Sequence, residues 1–223
     1  KKIVNNFKGI NCRWTNLEEL TLKPISGVVI ANEVLDALPV ERLVFRDSKV
    51  FRQGVTLKKI NDEYCLEFID LKPTSEIKKF LVDSQTLLNI KFPPDDICNG
   101  WVTEWHCGLP MLFKQLSNIL LNGPLLIVDY ALESKRYYNA SRKDGTLIAY
   151  RNQEASPNVL RYAGSCDLTA HICIESTIFY AKRNGWKFIG ETRQGQALLA
   201  LGLSKFIYSL QNTTSNDLSA SLN

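Results

Sequence analysis

Glu33 and Asp36 stand three residues apart, directly after the apolar run Val28, Val29, Ile30 and Ala31. Asn32 precedes them and Pro39 punctuates the segment. On a helical turn, carboxylates at this spacing share one face, with Cβ atoms ~5–6 Å apart. Two such acceptors could grip a guanidinium, which presents a planar fork of donors, or an ammonium. The competing reading makes Asp36 a cap or first-turn charge of a helix and Glu33 a salt-bridge partner. From spacing alone the structural role is the commoner one. A second apolar run, Leu125 to Val128, also ends in a carboxylate, Asp129, followed by Tyr130. Ligands of open α/β sheets bind outside the carboxyl ends of strands, so these two run ends form the leading site candidate.

Other chemistry is thinner. His171, in Asp167-Leu-Thr-Ala-His171, is a candidate base or orienting donor, or equally a histidine packed at a loop–helix junction. His106-Cys107 and His171-Ile-Cys173 lack structural-zinc spacing, so no metal site is expected. The chain holds no GxSxG elbow, no cysteine matched to a histidine, and no Gly-rich phosphate loop. Trp14, Trp101, Trp105 and Trp186 read as core or interface anchors.

The elements that must position these groups follow from periodicity. Both apolar runs suit strands buried on two faces of a parallel sheet. Residues 1–8 read as the tail of a helix, Ile10–Trp14 as a strand, and Leu17–Leu20 as a helical turn. From Leu43 the period switches to two. Leu43–Arg46 and Lys49–Arg52 flank the turn Asp47-Ser48 as a hairpin, and Tyr64, Leu66 and Phe68 alternate in a third strand. A surface helix over 74–89 ends at Pro93-Pro94. Leu112, Phe113, Leu116, Ile119 and Leu120 mark one apolar helix face, and Asn122-Gly123-Pro124 stops it. Residues 131–166 read as a long polar connection, 175–184 as a helix, Trp186–Thr192 as a strand, and 196–208 as a helix weakened by Gly202.

The fold class is therefore α/β, with core segments 1–42 and 101–210, an inserted antiparallel β/α segment 43–100, and a polar tail 211–223 expected to be disordered. The 223 residues carry a net charge of +4 with dispersed basic residues, so neither a nucleic-acid nor a membrane-surface partner is demanded. No apolar run is long enough to span a bilayer. Six scattered cysteines without a CxxC pair point to a reducing, intracellular setting. The chain starts without Met, which reads as a processed or truncated product.

The wording of several segments goes further. Residues 29–40 (Val-Ile-Ala-Asn-Glu-Val-Leu-Asp-Ala-Leu-Pro-Val) resemble the hallmark of the MidA family of S-adenosylmethionine-dependent methyltransferases. Leu126 to Tyr130 resembles that family's "LLIDYG" strand, Gly145-Thr-Leu147 with Tyr150 its "GTLxxY" loop, and Asp167 to His171 its "D-[IL]-T-A-H" motif. Gln194 to Gly202 is loosely similar to its late "TxQxxFLxxLG" segment. Glu104 falls where the family carries a Glu ahead of the helix before the strand. The motifs run in order over about residues 1–208, and their order makes the resemblance specific.

The resemblance implies a Rossmann-like sheet, here from its third strand onward, with S-adenosyl-L-methionine as cofactor. It implies methyl transfer to an arginine of a partner protein, with a subunit of respiratory complex I as candidate acceptor. Glu33, Asp36 and His171 would be catalytic. Asn32 would lie by the methionine end of the cofactor and Trp14, Asn16 and Leu17 by its adenine edge. Asp129, Tyr130, Thr169 and Glu104 would face the substrate. The family's Gly-rich loop belongs ahead of Lys1, so the chain would hold at most half of a cofactor site and be inactive alone. Ala131 also replaces the family's usual Gly. The resemblance implies a cytoplasmic protein, or one of the mitochondrial matrix, and leaves a homodimer open. Two alternatives stand beside it: a non-catalytic assembly module with the same fold, and a methyltransferase acting on a small molecule.

Overall fold

The computed structural model describes residues 12–211. The helix expected over 1–8, the start of the strand expected over 10–14 and nearly all of the polar tail lie outside them. Cys12, Arg13 and Trp14 carry no strand pairing, a departure from the expected strand. The chain divides into two compact units between Lys187 and Phe188.

In the first unit, α1 (Leu17–Thr21) begins where the Asn16 side chain accepts from the Glu19 N–H at 2.8 Å, an N-cap. Two short strands follow, β1 (Ile25–Ser26) and β2 (Val29–Asn32). The period-two stretch then builds β3 (Glu41–Arg46), β4 (Lys49–Ile60) and β5 (Glu63–Leu71). Both hairpin turns, Asp47-Ser48 and Asn61-Asp62, have positive φ at each residue, the backbone twist that two-residue hairpins demand. Helix α2 (Ser75–Leu87) is capped by the Thr74 hydroxyl accepting from Ile77 N–H. After it, β6 (Trp101–Trp105) pairs antiparallel with β3, which completes a four-stranded sheet ordered β5-β4-β3-β6. Leu43, Phe45, Trp101 and Trp105 on one face of that sheet bury against Ile77 and Phe80 of α2.

Helix α3 (Leu109–Ile119) buries Leu109, Leu112, Phe113, Leu116 and Ile119, the apolar face that spacing predicts. It runs into β7 (Leu120–Asn122) and β8 (Leu125–Val128). Pairs β1–β7 and β2–β8 are parallel, in keeping with the expected topology. At the turn between β7 and β8, Gly123 takes φ 135°, and a Cβ there would stand 1.7 Å from the Gly27 carbonyl oxygen, so only glycine fits.

Two expectations fail here. The runs 28–31 and 125–128 are covered on one face only. Ala31 is buried, with Val29, Leu125 and Ile127 packed beside it under α3, while Val28, Ile30 and Leu126 are 60%, 65% and 52% exposed. Apolar residues on both faces of a strand state that both can be buried, not that this chain covers both. Residues 131–166 are also more structured than a polar connection. They hold β9 (Ala131–Leu132), α4 (Ser134–Tyr137), β10 (Ile148–Arg151) and β11 (Glu154–Ser156). Strand β10 pairs with β11 and with β12 (Asp167–Thr169). Then β13 (Ile172–Cys173) pairs parallel with β9 and leads into α5 (Ile174–Arg183), which packs on α3.

The second unit is small. Its opening residues, 188–193, form no strand and pair with no other strand, so the strand expected over Trp186–Thr192 is absent. Helices α6 (Gln194–Ala200) and α7 (Leu203–Gln211) replace the single helix expected over 196–208. Gly202, at φ 94°, separates them. Among the described residues no helix is long and apolar enough to cross a membrane.

Candidate functional site

The parallel pairing of β2 with β8 runs to Asn32 opposite Val128. Glu33 and Asp129 therefore leave the pair side by side, at the carboxyl ends of both strands. The Glu33 N–H still donates to the Val128 carbonyl at 2.8 Å, which extends the ladder by one bond. Glu33 itself has φ 48°, the left-handed region where a residue with a Cβ is strained. That bend turns the chain out of the strand and leaves the Glu33 carboxylate exposed.

Asp129 then fixes the turn. Its Oδ2 accepts from the N–H groups of Leu35 at 2.9 Å and Asp36 at 3.3 Å, and its Oδ1 from its neighbour Tyr130 N–H at 2.8 Å. A side chain from one strand thereby supplies the acceptors that a helix would have supplied from its own backbone. Leu38 N–H closes a turn on Leu35, and residues 33–38 form no helix. The expectation that Glu33 and Asp36 share one helical face is thus corrected. Glu33 faces solvent, whereas Asp36 is 7% exposed.

A third segment completes the cluster. Thr169, at the end of β12, donates its hydroxyl to Asp36 Oδ2 at 2.7 Å, and Ala170 N–H donates to the Asp36 carbonyl. His171 stacks edge-on against Tyr130, ring centroids 6.1 Å apart. The Tyr130 phenol lies against Glu33, and that negative charge pushes its pKa above the usual tyrosine value. Burial raises Asp129, against the pull of its N–H donors. Burial lowers His171, aided by the Arg142 guanidinium and opposed by Asp36 and Asp129. The cluster therefore favours a neutral His171 beside an exposed carboxylate.

The structure brings together Asn32, Glu33, Asp36, Asp129, Tyr130, Thr169 and His171. Glu104 lies apart from them, fully buried on β6. Its Oε2 accepts from the N–H and hydroxyl of Thr146 at 2.7 and 3.1 Å, and the Arg42 Nε stands 3.6 Å from its Oε1. Burial raises its pKa. It holds the 144–147 loop, whose Gly145 leaves no room for a Cβ beside the carboxylate. Trp14 is 80% exposed and the Asn16 side chain is occupied in capping α1. Leu17 opens α1 and is 37% exposed. Among the described residues no group of three or more His, Cys, Asp or Glu could hold a metal ion.

Sequence reasoning weighed His106 only as half of the pair His106-Cys107 and missed its structural role. His106 is 3% exposed, and its Nε2 lies 3.2 Å from the Ala170 carbonyl, where the neutral ring donates and pins the segment that carries Thr169 and His171. Its only signal was its place just after an alternating strand. Burial pushes its pKa from 6.5 down to about 4. Because the native ring resists protonation, the unfolded chain takes up the proton first. Stability is intact above pH 6.5 and falls as pH drops toward 4. The full loss is about 3 kcal/mol. Urea unfolding from pH 7 to 4 should show this slope, and His106→Gln, which keeps a donor without a titrating charge, should flatten it. An unchanged slope in that variant would assign the acid limb elsewhere.

Residues 2–192 match the model of a protein family described as "Putative S-adenosyl-L-methionine-dependent methyltransferase". The chain belongs to that family. It is similar to a solved structure from Burkholderia thailandensis described as a "likely methyl transferase" bound to S-adenosyl-homocysteine, at 27% identity and TM-score 0.70. That match covers 88% of this chain and 47% of the other. A structure of an uncharacterized protein of the same superfamily and organism matches at 27% identity and TM-score 0.70, over 88% and 48%. The chain thus spans about half the length of these structures. No curated protein matches.

The family's cofactor is S-adenosyl-L-methionine, and the strand-end cluster fits it in part. The Asn32 amide, at the carboxyl end of β2, suits the amino-acid end of the cofactor. For the nucleoside the fit is poor, because Trp14, expected at the adenine edge, is 80% exposed.

Proposed function

We propose that this chain forms the acceptor side of an S-adenosylmethionine-dependent methyltransferase of the MidA type that modifies arginine on a partner protein, with a respiratory complex I subunit as candidate acceptor. The observation that carries the reading is the exposed Glu33 carboxylate, held in a strained bend between two parallel strands. The donor supplies a methyl group already activated on a sulfonium. The chain's own residues have to bind and orient the nucleophile. A guanidinium stays protonated at neutral pH and has five donors in a rigid fork. Glu33 is placed to accept two of them and to receive the proton that leaves the attacking nitrogen. The Tyr130 phenol steadies Glu33 from the side. Asp36, with one oxygen taken by Thr169, adds negative potential from behind without competing for the substrate. Neutral His171 shapes the wall of the acceptor channel rather than adding a repelling charge.

The test is transfer of a labelled methyl group by the native protein to arginine-bearing peptides and to the same peptides with lysine in place of arginine. Mass spectrometry should locate the label on guanidinium nitrogen. Label on lysine or on a small molecule alone would overturn the arginine reading. Absence of transfer to any acceptor, with donor binding intact, would favour an assembly role.

A further inference from the structure

The β4–β5 hairpin outruns the sheet to which it belongs. Strand β3 pairs with β4 only from Arg46↔Lys49 to Leu43↔Arg52, so beyond Arg52 the ribbon has two strands. One face of it carries the directly opposed pairs Val55↔Phe68, Leu57↔Leu66 and Lys59↔Tyr64. The other carries Thr56↔Glu67, Lys58↔Cys65 and Ile60↔Glu63, with Lys58 Nζ and Glu67 carboxylate 3.0 Å apart. On the first face Val55, Leu57, Tyr64 and Leu66 are 50%, 61%, 68% and 37% exposed. An isolated two-stranded ribbon is marginal in water, and a contiguous apolar row on it marks an interaction surface.

Charge at the two ends of the row indicates what covers it. The tip holds the ion pair Lys59–Asp62, 2.6 Å apart, and the base holds Arg46–Asp70, 2.9 Å apart. Gln53 pairs with Asp70 on the same face as Lys59. Laid antiparallel on a second copy, the tip of each arm meets the base of the other. Lys59 then lies over the second copy's Asp70, Asp62 lies beside its Arg46, and the apolar rows cross between these charge clusters. Such self-matching is the signature of a two-fold interface, with the ribbons stacked about 10 Å apart as packed sheets are. We propose that the apolar face of the β4–β5 arm pairs with the same face of a second copy of this chain. The dimer is independent of methyl transfer.

Light scattering on the full 223-residue chain, across the micromolar range, tests this. The unmodified chain should have the mass of two copies. Leu57→Glu should halve that mass with an unchanged circular dichroism spectrum, because the side chain is exposed. Thr56→Glu on the opposite face should keep the dimer. A single-copy mass for the unmodified chain at every concentration would overturn the proposal, as would a Leu57→Glu protein that still dimerises. A single-copy mass with Tyr64 protected from iodination would assign the cover to another segment of the same chain, again overturning it.

Discussion

Glu33→Gln is expected to lower the methyl-transfer rate of the native protein about 10²–10³-fold, the cost of removing one preorganised electrostatic contact to the reacting group. The amide keeps the shape and the backbone N–H bond to Val128. Stability should therefore change by less than about 0.5 kcal/mol, as for other surface substitutions. Affinity for the methyl donor should stay close to that of the parent, because the carboxylate is assigned to the acceptor. The signature is a loss in kcat rather than in donor binding, read by single-turnover transfer alongside calorimetry with S-adenosylmethionine. Full turnover by the variant would sink the assignment. Glu33→Gly sharpens it. Glycine adopts φ 48° at no steric cost, so that variant should match or exceed the parent's stability while losing transfer. A residue kept for stability would behave in the opposite way, so the pair separates a functional strain from a structural one.

How far such a site can be seen in a sequence depends on how local its determinants are. The run ends at Asn32–Glu33 and Val128–Asp129 were legible because strand termination is written in one stretch, as an apolar run meeting carboxylates. The same holds for the β3–β4 hairpin, for α2, and for the buried stripe of α3. The geometry between Glu33 and Asp36 was not legible. It depends on Asp129, more than ninety residues away, taking up the N–H groups of Leu35 and Asp36. The burial of Asp36 depends likewise on Thr169. The structural role of His106 escaped notice because it holds a backbone carbonyl at Ala170 rather than meeting another side chain. The strand expected at Trp186–Thr192 failed because an alternating pattern needs an edge to pair with, which no local pattern can supply. Apolar character on both faces of β2 and β8 overstated their burial for a related reason. It records what could be covered, and the described residues cover only the face toward α3 and α5.

Asp129→Ala is the other large effect expected. One carboxylate holds three backbone N–H groups, two of them in the turn that carries Glu33 and Asp36. Removing it leaves those donors without their acceptor in a half-buried site. Hydrogen bonds to a charged group are worth about 1.5–3 kcal/mol each, and water can replace part of that here. A net loss of about 3 kcal/mol follows for the set. Asp129→Asn keeps one acceptor oxygen and should cost less than half as much. The pH dependence separates the two roles of the group. Burial places its folded pKa above the unfolded value, so the neutral acid is favoured in the native state. Its contribution to stability is complete below the unfolded pKa and declines as pH rises through the folded one. The Asn variant should lose that decline and the Ala variant should lose both the decline and the bonds. Urea unfolding at several pH values measures all three, and an Asp129→Ala protein as stable as its parent would show that the turn stands without it. Transfer should fall with stability in the Ala variant, because Glu33 is held in its bend only while Leu35 and Asp36 are tied to the end of β8. The carboxylate proposed to orient the substrate is thus positioned through the backbone bonds that a second carboxylate, Asp129, accepts.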